Sequence, residues 1–196
     1  MPGHDSVRRP APGVKLTYDD LVLLYPEDDG LRHELIDGEH YVSPAPITNH
    51  QRVCGNLYFL LRSHLEHRPV GEVFFAPFDV IFTRFDVVEP DILYLSKERA
   101  ATILTSKNIQ GSPELVIEIG SPGTRRRDAT IKRRLYERED VSEYWIVDPD
   151  AELIRFYRRG KNAFEPPIEL SREAGDVLTT PLLPGLKLRL ADVFKD

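Results

Sequence analysis

Leu115-Val116-Ile117-Glu118-Ile119-Gly120-Ser121-Pro122 is an apolar run with one acid inside it, closed by a glycine and a proline. Short apolar runs with such boundaries read as strands buried on both faces. An acid in such a strand must be paired, protonated or bound to a metal, because an uncompensated buried charge costs several kcal/mol or more. Glu118 is therefore the first candidate functional residue. Downstream, Ser121-Pro122 offers a cap with proline at the first helical position, opening a helix to about Glu139 that carries Lys132. Upstream, Asp91 follows Glu89-Pro90 at the head of another apolar run, Ile92-Leu93-Tyr94-Leu95. Acid, acid and base around a sheet is the layout of a metal-dependent phosphodiesterase.

The helix places Lys132 about 100° from Ile131 and about 60° from Leu135, beside the buried stripe rather than opposite it. Asp128 and Tyr136, at i−4 and i+4, share its face. From there a long amine can reach over the sheet edge to orient water or stabilise negative charge. The alternative is a simple Lys132–Asp128 ion pair.

Working outward, Thr17 caps a short helix with Leu21, Leu23 and Leu24 on its apolar side. Asp37-Gly38 between Arg32–Ile36 and His40–Ser43 signals a hairpin. Val53, Leu57, Leu60, Leu61 and Leu65 recur at helical spacing from Thr48 to about His67, and Pro69 ends that helix. Strands are expected at 72–75, 78–83, 91–95 and 115–119, then at 143–147 and 153–157 around the turn Asp148-Pro149-Asp150. The remainder is proline-rich, with short extended pieces and a final turn near 191–194. This order implies an α/β fold, a mixed sheet flanked by helices, with strand 115–119, its helix and strand 143–147 as one crossover unit.

At 196 residues the chain fits one domain, 15–196, behind a disordered tail, 1–14. Apolar content of 41% and charged content of 30% suit a globular protein with a substantial core. No run of about 18 apolar residues implies a transmembrane helix, and the tail lacks a signal-peptide core. The single cysteine, Cys54, excludes an internal disulfide and a cysteine-based zinc cluster. Cytoplasm is the expected location. The net charge of −6 argues against a general nucleic-acid binder. Arg125, Arg126, Arg127, Lys132, Arg133, Arg134 and Arg138, however, crowd one helix. They make either a local basic patch or a solvated face of i,i+4 pairs.

Phosphodiester hydrolysis needs a nucleophilic water, charge stabilisation at phosphorus and help for the leaving oxygen. One or two Mg²⁺ ions on hard carboxylate oxygens supply most of this. Asp91 and Glu118 could hold such an ion jointly, with the Ile119 carbonyl as a further oxygen.

Five segments in order also carry a resemblance. They are Arg32-His33-Glu34-Leu35-Ile36-Asp37-Gly38-Glu39; Glu89-Pro90-Asp91; Val116-Ile117-Glu118-Ile119-Gly120-Ser121-Pro122; Asp128 with Lys132 and Tyr136; and Glu143-Tyr144-Trp145-Ile146-Val147-Asp148-Pro149. Over roughly 16–194 the chain resembles the Uma-two family of proposed restriction endonucleases, within the PD-(D/E)XK nuclease superfamily. The resemblance implies a restriction-endonuclease-like αβββαβ core, a Mg²⁺ site in which Mn²⁺ can substitute, and cleavage of DNA. It matches Asp91 and Glu118 to the two motif acids and Glu34 to a further acidic position at the metal shell. Gly120 stands where the superfamily lysine would be, and Lys132 takes that role from the following helix. One active site per subunit would make a symmetric homodimer the simplest agent of a double-strand cut.

Two rivals remain. The fold could serve as a non-catalytic binding or scaffold module of a defence or mobile-element system. Paired-carboxylate glycoside hydrolysis would need two carboxyls about 5–10 Å apart with no ion between them. A serine nucleophile at Ser121 fails, since Pro122 has no N–H for an oxyanion. His50, near the start of its helix, could approach the cleft, but a capping or surface role is expected, and His64 and His67 are expected in solvent.

Overall fold

The computed structural model describes residues 13–25, 30–43, 45–121 and 123–195. Most of the tail expected over 1–14 lies outside them, as does Pro122 at the expected helix start.

Helix α1 (Tyr18–Leu24) opens on a capping box, with the Asp20 N–H donating to Thr17 Oγ1 at 3.3 Å and the Thr17 N–H to Asp20 Oδ2 at 2.8 Å. Leu21 is buried, but Leu23, expected beside it, is 78% exposed. Two positions along a helix is about 200° around it, so the two leucines point apart. Strands β1 (Arg32–Ile36) and β2 (Glu39–Ser43) pair across Asp37 and Gly38, whose φ values of 53° and 75° suit a two-residue hairpin turn. Helix α2 (Thr48–His67) buries His50, Val53, Leu57, Leu61 and Leu65 along one stripe.

Strands β3 (Gly71–Phe75), β4 (Val80–Thr83), β5 (Asp86–Val88) and β6 (Ile92–Ser96) follow. Then come α3 (Lys97–Ile103), β7 (Ile109–Gln110) and β8 (Leu115–Ile119). Segment 125–138 is one helix, α4, made of Arg125–Arg127, a π-turn at Asp128–Lys132, and Arg133–Arg138. It starts later than the Ser121-Pro122 signal suggests, with Thr124 as a cap whose side chain accepts the Ser121 N–H at 3.2 Å rather than an N–H of the helix. The chain closes with β9 (Glu143–Asp148), β10 (Leu153–Arg158), β11 (Ile168–Ser171), β12 (Val177–Leu178), β13 (Leu188–Arg189) and α5 (Leu190–Val193).

A six-stranded sheet runs in the order β11-β10-β9-β8-β6-β3. Within it β3, β6 and β8 are successively antiparallel, and β8 and β9 are parallel across α4. Preceded by α2, they trace the αβββαβ core. Where the sequence predicts one mixed sheet, the structure carries a second of five strands, in the order β2-β1-β5-β4-β7. Two of its strands carry no sequence signal, β5 with three residues and β7 with two, both too short to display alternation. A two-stranded β12-β13 ladder completes the set. No helix among the described residues is long and apolar enough to cross a membrane.

Alternation assigns each residue of β8 to a layer. Leu115, Ile117 and Ile119 join Val53, Leu57 and Trp145 beneath α2. Val116 joins Leu93, Leu135 and Tyr144 beneath α4, where Ile36 and Val88 of the second sheet close the layer. Glu118 is two residues from Val116 and so enters the layer beneath α4.

Candidate active site

The β6–β8 ladder sets the two acids side by side. Its last pair is Ile92↔Ile117, and one step further brings Asp91 level with Glu118. Both are buried, at 2% and 3% exposure. Asp91 Oδ1 accepts from Arg32 Nη2 at 2.9 Å. Asp91 Oδ2 accepts from the Ile119 N–H at 2.7 Å and contacts His50 Nε2 at 3.1 Å. Glu118 Oε1 accepts from Lys132 Nζ at 2.8 Å and from the Tyr136 hydroxyl at 2.6 Å.

Lys132 also donates to Glu34 Oε1 at 2.7 Å, so its ammonium bridges the second sheet to the central one. The sequence alternative of a Lys132–Asp128 ion pair gives way to these two acids. Within α4 the Arg133 N–H bonds to the Asp128 carbonyl five residues back, which is the π-turn. The Tyr144 hydroxyl donates to that same carbonyl at 3.1 Å. Such wider turns recur at functional sites, and here both Asp128 and Lys132 face inward, at 1% exposure each.

Burial opposes the Lys132 charge, but Glu118, Glu34 and Asp128 outweigh it and hold the ammonium well above its ordinary range. Burial pushes Glu118 up to about 8, Lys132 opposing and Asp128, Asp91 and Glu34 adding to the rise. For Asp91, burial works upward, yet the His50 contact, the Arg32 charge and the Ile119 N–H hold the carboxyl down at about 2. Burial raises Asp128, whose Oδ1 is enclosed without a hydrogen-bond partner. Burial, with Asp79 nearby, pushes Glu89 up to about 7.

Asp91, Glu118, Ile119 and Lys132 line one cavity of about 250 Å³, together with His50 and Arg32. Glu34 touches the cluster through Lys132 but does not complete a triad of acids. Among the described residues no three His, Cys, Asp or Glu side chains form a group that could hold a metal ion. Glu34 Oε2 instead meets Arg127 Nη2 at 3.3 Å, and its Oε1 also accepts the Glu89 N–H at 3.1 Å.

Two residues that line the cavity stand outside the expected site, His50 and Arg32. His50 is 7% exposed rather than at the surface, and the spacing 50, 53, 57, 61, 65 on α2 carried that information. Arg32 shares the face of Glu34 by strand alternation, a signal equally present in the sequence. The arginine-rich helix is largely neutralised. Arg125 pairs with Asp148 and Asp150, Arg133 with Glu137, and Arg138 with Asp37, Asp86 and Glu139. Arg126 and Arg134 are exposed and make no ion pair among the described residues.

Comparison with known proteins agrees with this architecture. The chain is similar to a crystal structure described as "a putative nuclease belonging to DUF820 from Anabaena variabilis ATCC 29413", with a TM-score of 0.75 at 21% identity, covering 91% of this chain and 97% of that one. At that identity the likeness speaks for the fold. No curated protein matches the sequence. A family model described as "Putative restriction endonuclease", Uma2, matches residues 18–191. With that match spanning most of its length, over a nuclease-like αβββαβ core, the chain belongs to the Uma2 family.

Proposed function

We propose that the chain is a divalent-cation-dependent DNA endonuclease in which Asp91 and Glu118 hold the ion, with the Ile119 carbonyl as a further oxygen and Glu34 in support. The reading rests on one observation: Asp91 and Glu118 stand level on adjacent strands at the wall of one cavity, with Lys132 Nζ on Glu118 Oε1. The donors suit Mg²⁺ or Mn²⁺, since they are hard oxygens and Mg²⁺ needs only one or two carboxylates beside its waters. Glu118 Oε2 accepts no hydrogen bond among the described residues. A bound cation would supply the positive charge that favours the ionised form of the buried Glu118 carboxyl, which burial pushes up to about 8. When bound, the ion would polarise phosphate and acidify a water.

The side chains of the protein supply positioning and charge. Lys132, held as an ammonium by its acidic neighbours, acts as a fixed positive charge where negative charge develops on phosphate, not as a proton acceptor. Tyr136 and Lys132 together fix Glu118 Oε1, and His50 with the Ile119 N–H fixes Asp91 Oδ2. Arg126 and Arg134 are the cations of α4 left for the DNA backbone. Two copies in a symmetric dimer would cut both strands.

The test is cleavage of supercoiled and single-stranded DNA with Mg²⁺ or Mn²⁺ by the parent and by Asp91→Ala, Glu118→Ala and Lys132→Ala. Parent cleavage lost in all three folded variants is the expected result; cleavage that survives in them overturns the assignment. A non-catalytic binding module is the second reading, favoured by the internal neutralisation of Asp91 and Glu118 by Arg32 and Lys132. It predicts no Mn²⁺ binding by the parent in calorimetry.

A further inference from the structure

Arg32 makes an interaction that the proposed reaction does not use. Its guanidinium is the only hydrogen-bond donor to Asp91 Oδ1 among the described residues, at 2.9 Å. The other carboxylate oxygen is already taken by His50 and the Ile119 N–H. Arg32 therefore sits on the oxygen that a bound ion would take.

A guanidinium and a divalent cation repel strongly when both meet one carboxylate away from bulk water, so one must yield. The surroundings give Arg32 a place to go. It lines two adjoining cavities, the one at Asp91 and a second of about 220 Å³. The second cavity is bounded by Ala76, Pro77 and Glu89, and Ala45 and Pro46 are common to both. The Glu89 carboxylate makes no hydrogen bond among the described residues. Glu89 is thus a second, unengaged acid that feels the charge of Arg32.

We propose that Arg32 is a built-in counterion that competes with the divalent cation for Asp91, holding Oδ1 when no ion is bound and turning to Glu89 when one is. The inference rests on Asp91 being an ion ligand. Arg32 is thus a positioning residue that acts through Asp91 and lowers the apparent affinity of the site, because an ion binds only after the guanidinium has left.

The test is Mn²⁺ titration by calorimetry, without DNA, on the parent, Arg32→Gln, Glu89→Gln, the double variant and Asp91→Asn, each checked for fold by circular dichroism. Arg32→Gln is expected to bind Mn²⁺ about tenfold more tightly, a gain that a merely structural role would not produce. Glu89→Gln is expected to weaken binding several-fold, and to do so much less in the Arg32→Gln background, as coupled residues do. Unchanged or weaker binding by Arg32→Gln, with binding lost in Asp91→Asn, overturns the counterion and leaves the ion site standing. Parental affinity in Asp91→Asn, or no binding by the parent, overturns the ion site itself and the counterion with it. A Glu89 effect undiminished in the double variant overturns the second position. If Arg32→Gln does not fold, Arg32→Lys replaces it, and a smaller gain is expected because an ammonium lacks the planar fork; no gain overturns the counterion.

Discussion

Lys132 Nζ stands 2.8 Å from Glu118 Oε1 with both side chains buried, joining α4 to the middle of the central sheet. The same ammonium lies 2.7 Å from Glu34 Oε1, so one positive charge serves two acids from two sheets. Removing it would strand both.

Lys132→Met is therefore expected to destabilise the protein by about 3–5 kcal/mol, the usual cost of breaking a buried pair from one side. Adding Glu118→Gln should recover part of that loss, because one of the stranded charges disappears. Urea denaturation of the parent, both single variants and the double variant checks this. Additive losses would show that the pair is not coupled.

The pH dependence of the ion-free protein follows from two carboxyls shifted in opposite directions. Asp91 lies below its ordinary 3.8, so its stabilising contribution is present above that value and is lost as the pH falls toward about 2. Glu118 lies above its ordinary 4.5, so its contribution is complete below that value and is lost as the pH rises through about 8. Melting temperature should thus fall across the interval from 4.5 to 8 in the parent and fall less in Glu118→Gln. Differential scanning fluorimetry across that range measures both slopes, and equal slopes would remove Glu118 as the cause.

Tyr136→Phe keeps the ring against Phe82 and Tyr144 but deletes the hydroxyl that donates to Glu118 Oε1 at 2.6 Å. A loss of about 1.5–3 kcal/mol is expected at pH above about 8, where Glu118 is ionised, and a smaller one of about 0.5–1.5 kcal/mol below it. Glu118 would also bind its proton more tightly, and the pH at which stability declines should move upward. Chemical denaturation at several pH values reads both effects.

Mg²⁺ should raise the melting temperature and a chelator should reverse it. An ion at one hundred times its Kd stabilises by about 2.7 kcal/mol if it binds only the folded state. Asp91→Asn should abolish the rise, and a rise that persists would place the ion elsewhere.

Local pattern was enough for much of the framework. Helical spacing gave α2 from Thr48 to His67, the apolar run gave β8 from Leu115 to Ile119, and Asp37-Gly38 gave the hairpin. These features are set by backbone preference and by the period of apolar residues, which a linear chain displays. The same logic marked Glu118, because an acid inside an apolar strand is costly wherever the strand packs.

Partnerships were decided only by the tertiary structure. Periodicity says which face a side chain occupies, not what will stand opposite it. Glu34 meets Lys132 across 98 residues because the second sheet, completed by the short β5, folds over the layer beneath α4. His50 could be placed on the buried stripe of its helix, but its contact with Asp91 41 residues away depends on how α2 crosses the sheet. The buried pairs are brought together by packing between distant segments, and no local rule of sequence specifies that packing.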